Sequence, residues 1–378
     1  MAADLDSYRD QFPVFERRTY VNSCSQGALA RSVRGAMDAY LDGMDEFGSL
    51  WETWAGKQEE VRELLARTLG ADVGEVAVTS SASAAVSAIA SALFQGTRSK
   101  VVTTALEFPT IGQIWHAQEP RGVRVVHVPV DADQSLDLKA MGDAIDDETA
   151  LVSVTNICYR NGAMVDVPAV VALAHERGVP VLIDAYQAAG AVPIDFHEWG
   201  ADFVVGGCLK YMLGVPGIGF ALVNAATTSD LVPTSTGWFA ARDIFSMDIY
   251  AYDPAKDARR FESGTPVVPS LFAVAEGLRL LLDVGVDRAW ERSSALHDAL
   301  REGIAALGGR VVTPAALHGP MIAVASTDDH ALVHAMGEDG VVVSCRDGNV
   351  RISPHFYNND ADVESVLASL RRHAHLLA

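Results

Sequence analysis

Short apolar runs alternate with helical segments through the first two-thirds of the chain. Strand-like runs occur at 76–79, 101–104, 124–130, 151–155, 180–183, 203–205 and 218–223. Amphipathic or apolar helical segments occur at 31–46, 57–69, 82–93, 135–146 and 167–177. Strands that recur between helices form βαβ units, and such units build a mostly parallel sheet covered on both faces. Ligands of parallel sheets bind beyond the carboxyl ends of the strands. The residues that follow each run are therefore the ones to inspect.

They carry chemistry. Ser81-Ala82-Ser83 follows 76–79 and opens a helix, so its backbone amides and the helix dipole make an anion site; a serine cap without a ligand is the plainer reading. Glu107-Phe108-Pro109 follows 101–104, and Asn156 follows 151–155. Asp184 follows 180–183, with Gln187 three residues on. Lys210 follows 203–205, between two apolar runs bounded by Gly206-Gly207 and by Gly214-Val215-Pro216-Gly217. A lysine in that setting either reaches solvent from a loop, or is an amine whose pKa is lowered in an apolar pocket so that it can form a Schiff base.

The pattern changes after about residue 224. Residues 231–260 are loop-rich and contain Gly237-Trp238-Phe239. Long helices are expected at about 269–285 and 287–306, then strands at 309–313, 320–325 and 340–344 with helices between them and at the end. This remainder reads as a smaller α/β domain, which gives a large domain over 18–255 and a small one from 1–17 and 256–378.

The 378 residues are 49% hydrophobic and carry a net charge of −20, which argues against nucleic acid as the main partner. The polar, acidic start is unlike a signal peptide, and no apolar run reaches the length of a membrane span. Cys24, Cys158, Cys208 and Cys345 stand apart without a CxxC pair, which fits a reducing cytoplasm and excludes a compact metal knuckle. No HExxH motif is present, and no metal is expected.

Four segments together resemble one family. They are Asp184-Ala185-Tyr186-Gln187-Ala188-Ala189-Gly190, Gly207-Cys208-Leu209-Lys210-Tyr211, Phe261-Glu262-Ser263-Gly264-Thr265-Pro266, and Arg351-Ile352-Ser353 followed by Tyr357-Asn358. In this order they resemble the class V aminotransferase group of fold-type I pyridoxal phosphate enzymes, which includes cysteine desulfurases, kynureninases and isopenicillin N epimerase-like proteins. The resemblance implies an α/β fold with a mostly parallel seven-stranded sheet in the large domain, a smaller α/β C-terminal domain, pyridoxal 5'-phosphate as cofactor, and a homodimer with active sites at the interface.

By position, the resemblance makes Lys210 the cofactor lysine and proton shuttle, and Asp184 the partner of the pyridine nitrogen. Gln187 and Asn156 would sit near the ring hydroxyl, and Phe108 would stack on the ring. Ala82 and Ser83 would hold the phosphate, with Thr265 reaching it from the neighbouring subunit and Trp238 close by. Arg351 would clamp the substrate α-carboxylate. Leu209 stands where desulfurases have histidine and kynureninases tyrosine, and Ile111 where kynureninases have aspartate. Cys345 is only six residues before Arg351, too close for the mobile persulfide loop of desulfurases; Cys24 is the other candidate thiol. The expected reaction is a C–S or C–C β-lyase step on an amino acid. The alternatives are an aminotransferase or epimerase, and a non-catalytic cofactor-binding partner subunit.

Overall fold

The computed structural model describes residues 4–94, 97–131 and 134–378, so the first three residues of the expected 1–17 segment lie outside it. Seven strands form the main sheet: β1 Val76–Thr79, β2 Lys100–Thr104, β3 Arg124–Val128, β4 Thr149–Thr155, β5 Val181–Asp184, β6 Phe203–Gly207 and β7 Gly219–Val223. Their order across the sheet is β1-β7-β6-β5-β4-β2-β3. All neighbours pair in parallel except β7, which runs antiparallel to both β1 and β6.

Both faces of this sheet are apolar, which is why its strands read as continuous runs in the sequence. Val76, Val78, Val181, Ile183, Val204, Phe220 and Leu222 point into one core. The intervening Ala77, Leu182, Phe203, Val205, Ala221 and Val223 point into the other. The longer helices that accompany the sheet are α1 Arg31–Phe47, α2 Trp51–Leu69, α3 Ala82–Ala92, α4 Pro109–His116, α5 Leu138–Ala144 and α6 Val167–His175. Helix α2 begins six residues before the expected position because Trp51 and Trp54 pack edge to face, with ring centroids 5.2 Å apart. Helix α7, Val268–Val284, lies against α1 and α2 and shares the core of the first face.

A smaller antiparallel sheet is built from β8 Ile322–Ala325, β9 Ser344–Arg346 and β10 Asn349–Ile352, in the order β9-β10-β8. Its own core takes Leu296, Leu300 and Ile304 from α8 (Val286–Ala306), Leu332 and Met336 from α9 (Asp329–Glu338), and Val366 and Leu370 from α10 (Asp360–Arg372). The N-terminal segment joins this unit, where Thr19–Tyr20 pairs in parallel with Val341–Val342.

Two expectations need correction here. The strand expected at 309–313 reduces to a single bridge, Val311 to Val324. The Thr313 hydroxyl takes the Ala323 amide in place of a backbone carbonyl, and Pro314 ends the segment. The strand expected at 340–344 is split: Val341–Val342 pairs with the N-terminal segment, and Ser344–Arg346 starts a hairpin with β10, a strand absent from the sequence-based expectation.

Candidate active site

The carboxyl ends of β1, β2, β4, β5 and β6 converge on a cavity of about 290 Å³. It is lined by Ser81, Ala82 and Ser83 after β1, Phe108, Thr110 and Ile111 after β2, and Thr155, Ile157 and Tyr159 at the end of β4. Asp184, Tyr186 and Gln187 line it after β5, and Leu209 and Lys210 after β6, with Ser25 from the N-terminal segment. Six of the ten expected site residues thus share one cavity: Ala82, Ser83, Phe108, Asp184, Gln187 and Lys210.

The Lys210 Nζ lies over the Tyr186 ring, 4.4 Å from its centroid, and 5.9 Å from that of Phe108. Burial draws the amine's pKa down from 10.5 to about 8; Cys24 and Asp184 act in the opposite sense, and Arg351 adds to the fall. Roughly a tenth of the amine is therefore neutral, and so nucleophilic, at pH 7, far more than for a lysine at its ordinary pKa. Asp184 closes β5 and is 4% exposed. Its Oδ1 accepts from the Tyr186 amide at 2.9 Å. Burial raises its pKa, while the Tyr186 amide and then Lys210 work against that rise. A cation brought beside this carboxylate would keep it ionised. Gln187 is fixed by donating from Nε2 to the Cys24 carbonyl, 3.0 Å away.

At the head of α3 the Ser81 hydroxyl accepts from the Ala84 amide at 3.1 Å. The amides of Ala82 and Ser83 have no carbonyl to reach within the helix, and both residues line the cavity. Gly219, the first residue of β7, is what lets that strand pass behind the loop. A Cβ there would lie 2.4 Å from the Ser81 carbonyl carbon and 2.7 Å from the Ala82 nitrogen. Gly207 makes similar room for Tyr186, whose hydroxyl would be 2.4 Å from an added Cβ.

Four expected residues lie outside this cavity. Arg351 is 5% exposed on β10; it donates to the Tyr159 carbonyl at 2.7 Å and to the Ser344 hydroxyl at 2.9 Å. Its Nε has no partner among the described residues. It therefore stands directly behind a cavity-lining residue with a donor to spare. The Asn156 side chain turns away: its amide donates to the Val165 carbonyl at 3.1 Å, and it lines a second cavity with Trp199 and Trp290. Thr265 is exposed. Trp238 is half-buried, edge-on to Trp51 at 5.7 Å and to Phe239 at 4.4 Å.

Neither candidate thiol lines the cavity. Cys24 is buried with Ala191, Tyr211 and Met321, and its amide donates to the Ser353 hydroxyl at 2.9 Å. Cys345 is the middle residue of β9, paired with Val350, where burial and then Asp329 push its pKa up. That is the reverse of an activated thiolate.

Two residues in and beside the cavity were given no role from the sequence. Tyr186 supplies the ring beneath Lys210. Glu107 is half-buried between β2 and β4, accepting on Oε1 from the Thr104 hydroxyl and the Thr155 amide, each at 2.8 Å. Its Oε2 has no partner among the described residues, and burial raises its pKa to about 8. Its position directly before Phe108 was the one available signal. A further residue of the E-x-G-T-P segment proves structural. Glu262 accepts from Arg62 at 2.5 Å, Gln58 at 2.7 Å and the Val78 amide at 2.8 Å, which fastens the segment to α2 and β1.

A half-buried amine of lowered pKa, a buried carboxylate, a helix-end anion cradle and a nearby guanidinium together fit pyridoxal 5'-phosphate and an amino acid. The comparisons agree. The family described as aminotransferase class-V matches residues 37–366. The uncharacterized aminotransferase YcbU of Bacillus subtilis (strain 168) is 33% identical over 370 residues, 96% of each chain. The kynureninase of Pseudomonas fluorescens is 31% identical over 370 residues, 92% of this chain and 86% of that one. The apo cysteine desulfurase of Thermococcus onnurineus NA1 shares the fold, with a TM-score of 0.89 at 22% identity over 99% of this chain and all of that one. The chain belongs to the class V aminotransferase family. It is a pyridoxal-phosphate-dependent enzyme with the α/β architecture of fold type I.

Proposed function

We propose that this enzyme breaks a bond at the β-carbon of an α-amino acid, as a C–C or C–S lyase. The observation that carries this reading is the wall around Lys210. Phe108, Ile111, Ile157 and Leu209 make it apolar, and Lys210 is the only cation among its lining residues. Such a wall accepts an apolar β-substituent. It offers no second cation for the distal carboxylate of a dicarboxylic amino acceptor. No cysteine lines it either, so a sulfur substituent would leave directly as a thiol rather than pass to the protein.

When bound, pyridoxal 5'-phosphate supplies the electron sink for the pair left at the substrate's α-carbon. Arg351 holds the substrate carboxylate by a forked, charge-assisted pairing. Lys210 Nζ moves the proton at the α-carbon, and its pKa near 8 suits that task at neutral pH. Asp184 holds a proton at the pyridine nitrogen. The Ala82 and Ser83 amides hold the phosphate, and Phe108 and Gln187 orient the ring. We assign Asn156 to support of the β4–β5 floor, through its backbone N–H to the Asp184 carbonyl at 2.9 Å and its side-chain amide to the Val165 carbonyl, rather than to the ring hydroxyl. The assembly is a homodimer in which Thr265 and Trp238 of one subunit border the other's cavity; both lie outside their own. All four cysteines are free, which supports a cytoplasmic location.

The test is a product assay. The loaded enzyme is given cysteine, cystine and an aromatic-ketone amino acid, each with and without pyruvate or 2-oxoglutarate as amino acceptor. Alanine, or pyruvate with ammonia and a thiol, released without an acceptor supports the lyase. The name of the Bacillus subtilis relative favours a second reading, amino transfer. Acceptor-dependent formation of a new amino acid with no β-cleavage would establish that reading and overturn the first.

A further inference from the structure

Away from the cavity, the first turn of α9 meets the hairpin formed by β9 and β10. Three different metal-ligating side chains come together there. Asp329 and His330 are the first two residues of the helix, after Asp328 caps it by accepting from the Ala331 amide at 3.0 Å. Cys345 faces them from the middle of β9. Its Sγ lies 3.6 Å from His330 Nδ1, and a carboxylate oxygen of Asp329 completes a triad whose ligand atoms are all within 4.8 Å of one another.

That spacing has a metric meaning. A tetrahedral zinc ion holds sulfur at ~2.3 Å and imidazole nitrogen at ~2.0–2.1 Å, which sets those two ligands about 3.6 Å apart. The sulfur and nitrogen of Cys345 and His330 already stand at that separation. The carboxylate is held in place as well, because Asp329 Oδ2 accepts from the Gly348 amide of the hairpin turn at 3.2 Å. Cys345 and Asp329 are half-buried and His330 is exposed, so an ion and a water ligand can enter from solvent.

We propose that Asp329, His330 and Cys345 form a binding site for a thiophilic divalent cation of the zinc class, with water as the fourth ligand. A thiolate and a carboxylate balance the double charge, and imidazole is the neutral third ligand. Thiolate and imidazole select zinc-like ions over magnesium or calcium, which prefer oxygen alone. The helix N-terminus disfavours a cation at its first turn, and the Asp329 carboxylate offsets that field. A second acid–histidine group, Asp72, Glu75 and His197, differs in having no sulfur ligand. Glu75 accepts from the Asp72 amide at 3.0 Å and contacts His197 Nε2 at 2.8 Å as a capping device. The proposed site would tie α9 to the strand pair that carries Arg351, since Ser344 beside Cys345 accepts from that guanidinium.

Cobalt(II) is the probe. Metal-stripped holoenzyme is titrated with Co²⁺ and followed by the visible d–d bands of tetrahedral cobalt, then back-titrated with Zn²⁺. The expected result is about one equivalent per chain, displaced by Zn²⁺, with affinity at least ~10-fold weaker in both Cys345→Ser and His330→Ala. The metal-free melting temperature of each variant is measured alongside, so that a folding defect in one leaves the other to decide. No tetrahedral bands in the wild type, or unchanged affinity in a folded Cys345→Ser or His330→Ala protein, would overturn the site.

Discussion

Gly219→Ala is a test of the phosphate cradle that touches no cofactor atom. The added Cβ would lie 2.4 Å from the Ser81 carbonyl carbon and 2.7 Å from the Ala82 nitrogen. Both are backbone atoms, so no side chain can rotate away. The closer contact is about 1 Å inside the 3.4 Å at which ordinary contact begins. Either β7 or the loop before α3 must shift by roughly that amount, and a hydrogen bond of ~2.9 Å from the Ala82 amide would stretch beyond its useful range. A hydrogen bond to a charged group contributes ~1.5–3 kcal/mol, so loss of one or two should cost about 2–4 kcal/mol of cofactor binding, or roughly 30- to 1000-fold in Kd. The assay is titration of cofactor-free protein with pyridoxal phosphate, and in parallel with pyridoxal, which lacks the phosphate. The loss should appear with the first and not with the second. Equal losses for both ligands, or no loss for either, would refute the assignment of the Ala82 and Ser83 amides to the phosphate.

Three further outcomes are expected. Arg351→Lys should raise KM for the amino acid ~10- to 100-fold while cofactor binding is unchanged, because a lysine cannot keep the Tyr159 and Ser344 bonds and also fork onto a carboxylate; steady-state kinetics and a cofactor titration read the two separately. Glu262→Ala should lower stability by ~3–5 kcal/mol in urea unfolding, since it removes the buried carboxylate that Gln58, the Val78 amide and Arg62 share and leaves Arg62 only the exposed Glu59 as a charged partner, and a change under ~1 kcal/mol would contradict that. The third concerns the cofactor-free chain, in which Lys210 has a pKa of about 8 against 10.5 unfolded. The unfolded form then holds its proton more tightly, so the cost of burying Lys210 is full below pH 8 and disappears as the pH rises through 10.5. Lys210→Met should therefore be more stable than wild type by a margin that is greatest near neutral pH and closes across that window; a margin independent of pH in thermal melts would contradict the burial.

The main sheet was legible because two-sided burial writes each strand as an apolar run, and because parallel topology places chemistry at strand ends. Asp184 and Lys210 could be found that way, and the helix-end serines followed from the same rule. Strand β10 was not legible. Asn349-Val350-Arg351-Ile352 is four residues long with a guanidinium in its middle, and it exists because the hairpin turn at Asp347-Gly348 pairs it with β9. Tyr186 was hidden for a different reason: its place under Lys210 depends on a missing Cβ at Gly207, a relation between two strand ends that no local pattern records. Asn156 follows β4 as expected, yet its side chain satisfies the chain's own Val165 carbonyl, and the sequence cannot say which way a strand-end amide turns. Thr265 and Trp238 lie outside the cavity of their own chain, so a single chain says only that they are exposed or half-buried there.

The reading of Lys210 as the residue that holds the cofactor is the centre of the account. Borohydride reduction of the loaded enzyme, followed by proteolysis and mass spectrometry, fixes the cofactor to whichever lysine carries it. The account predicts one phosphopyridoxyl group per chain, on the peptide containing Lys210, and none in Lys210→Met. A label on any other lysine, or an unlabelled Lys210 in an enzyme that still binds pyridoxal phosphate, would contradict it.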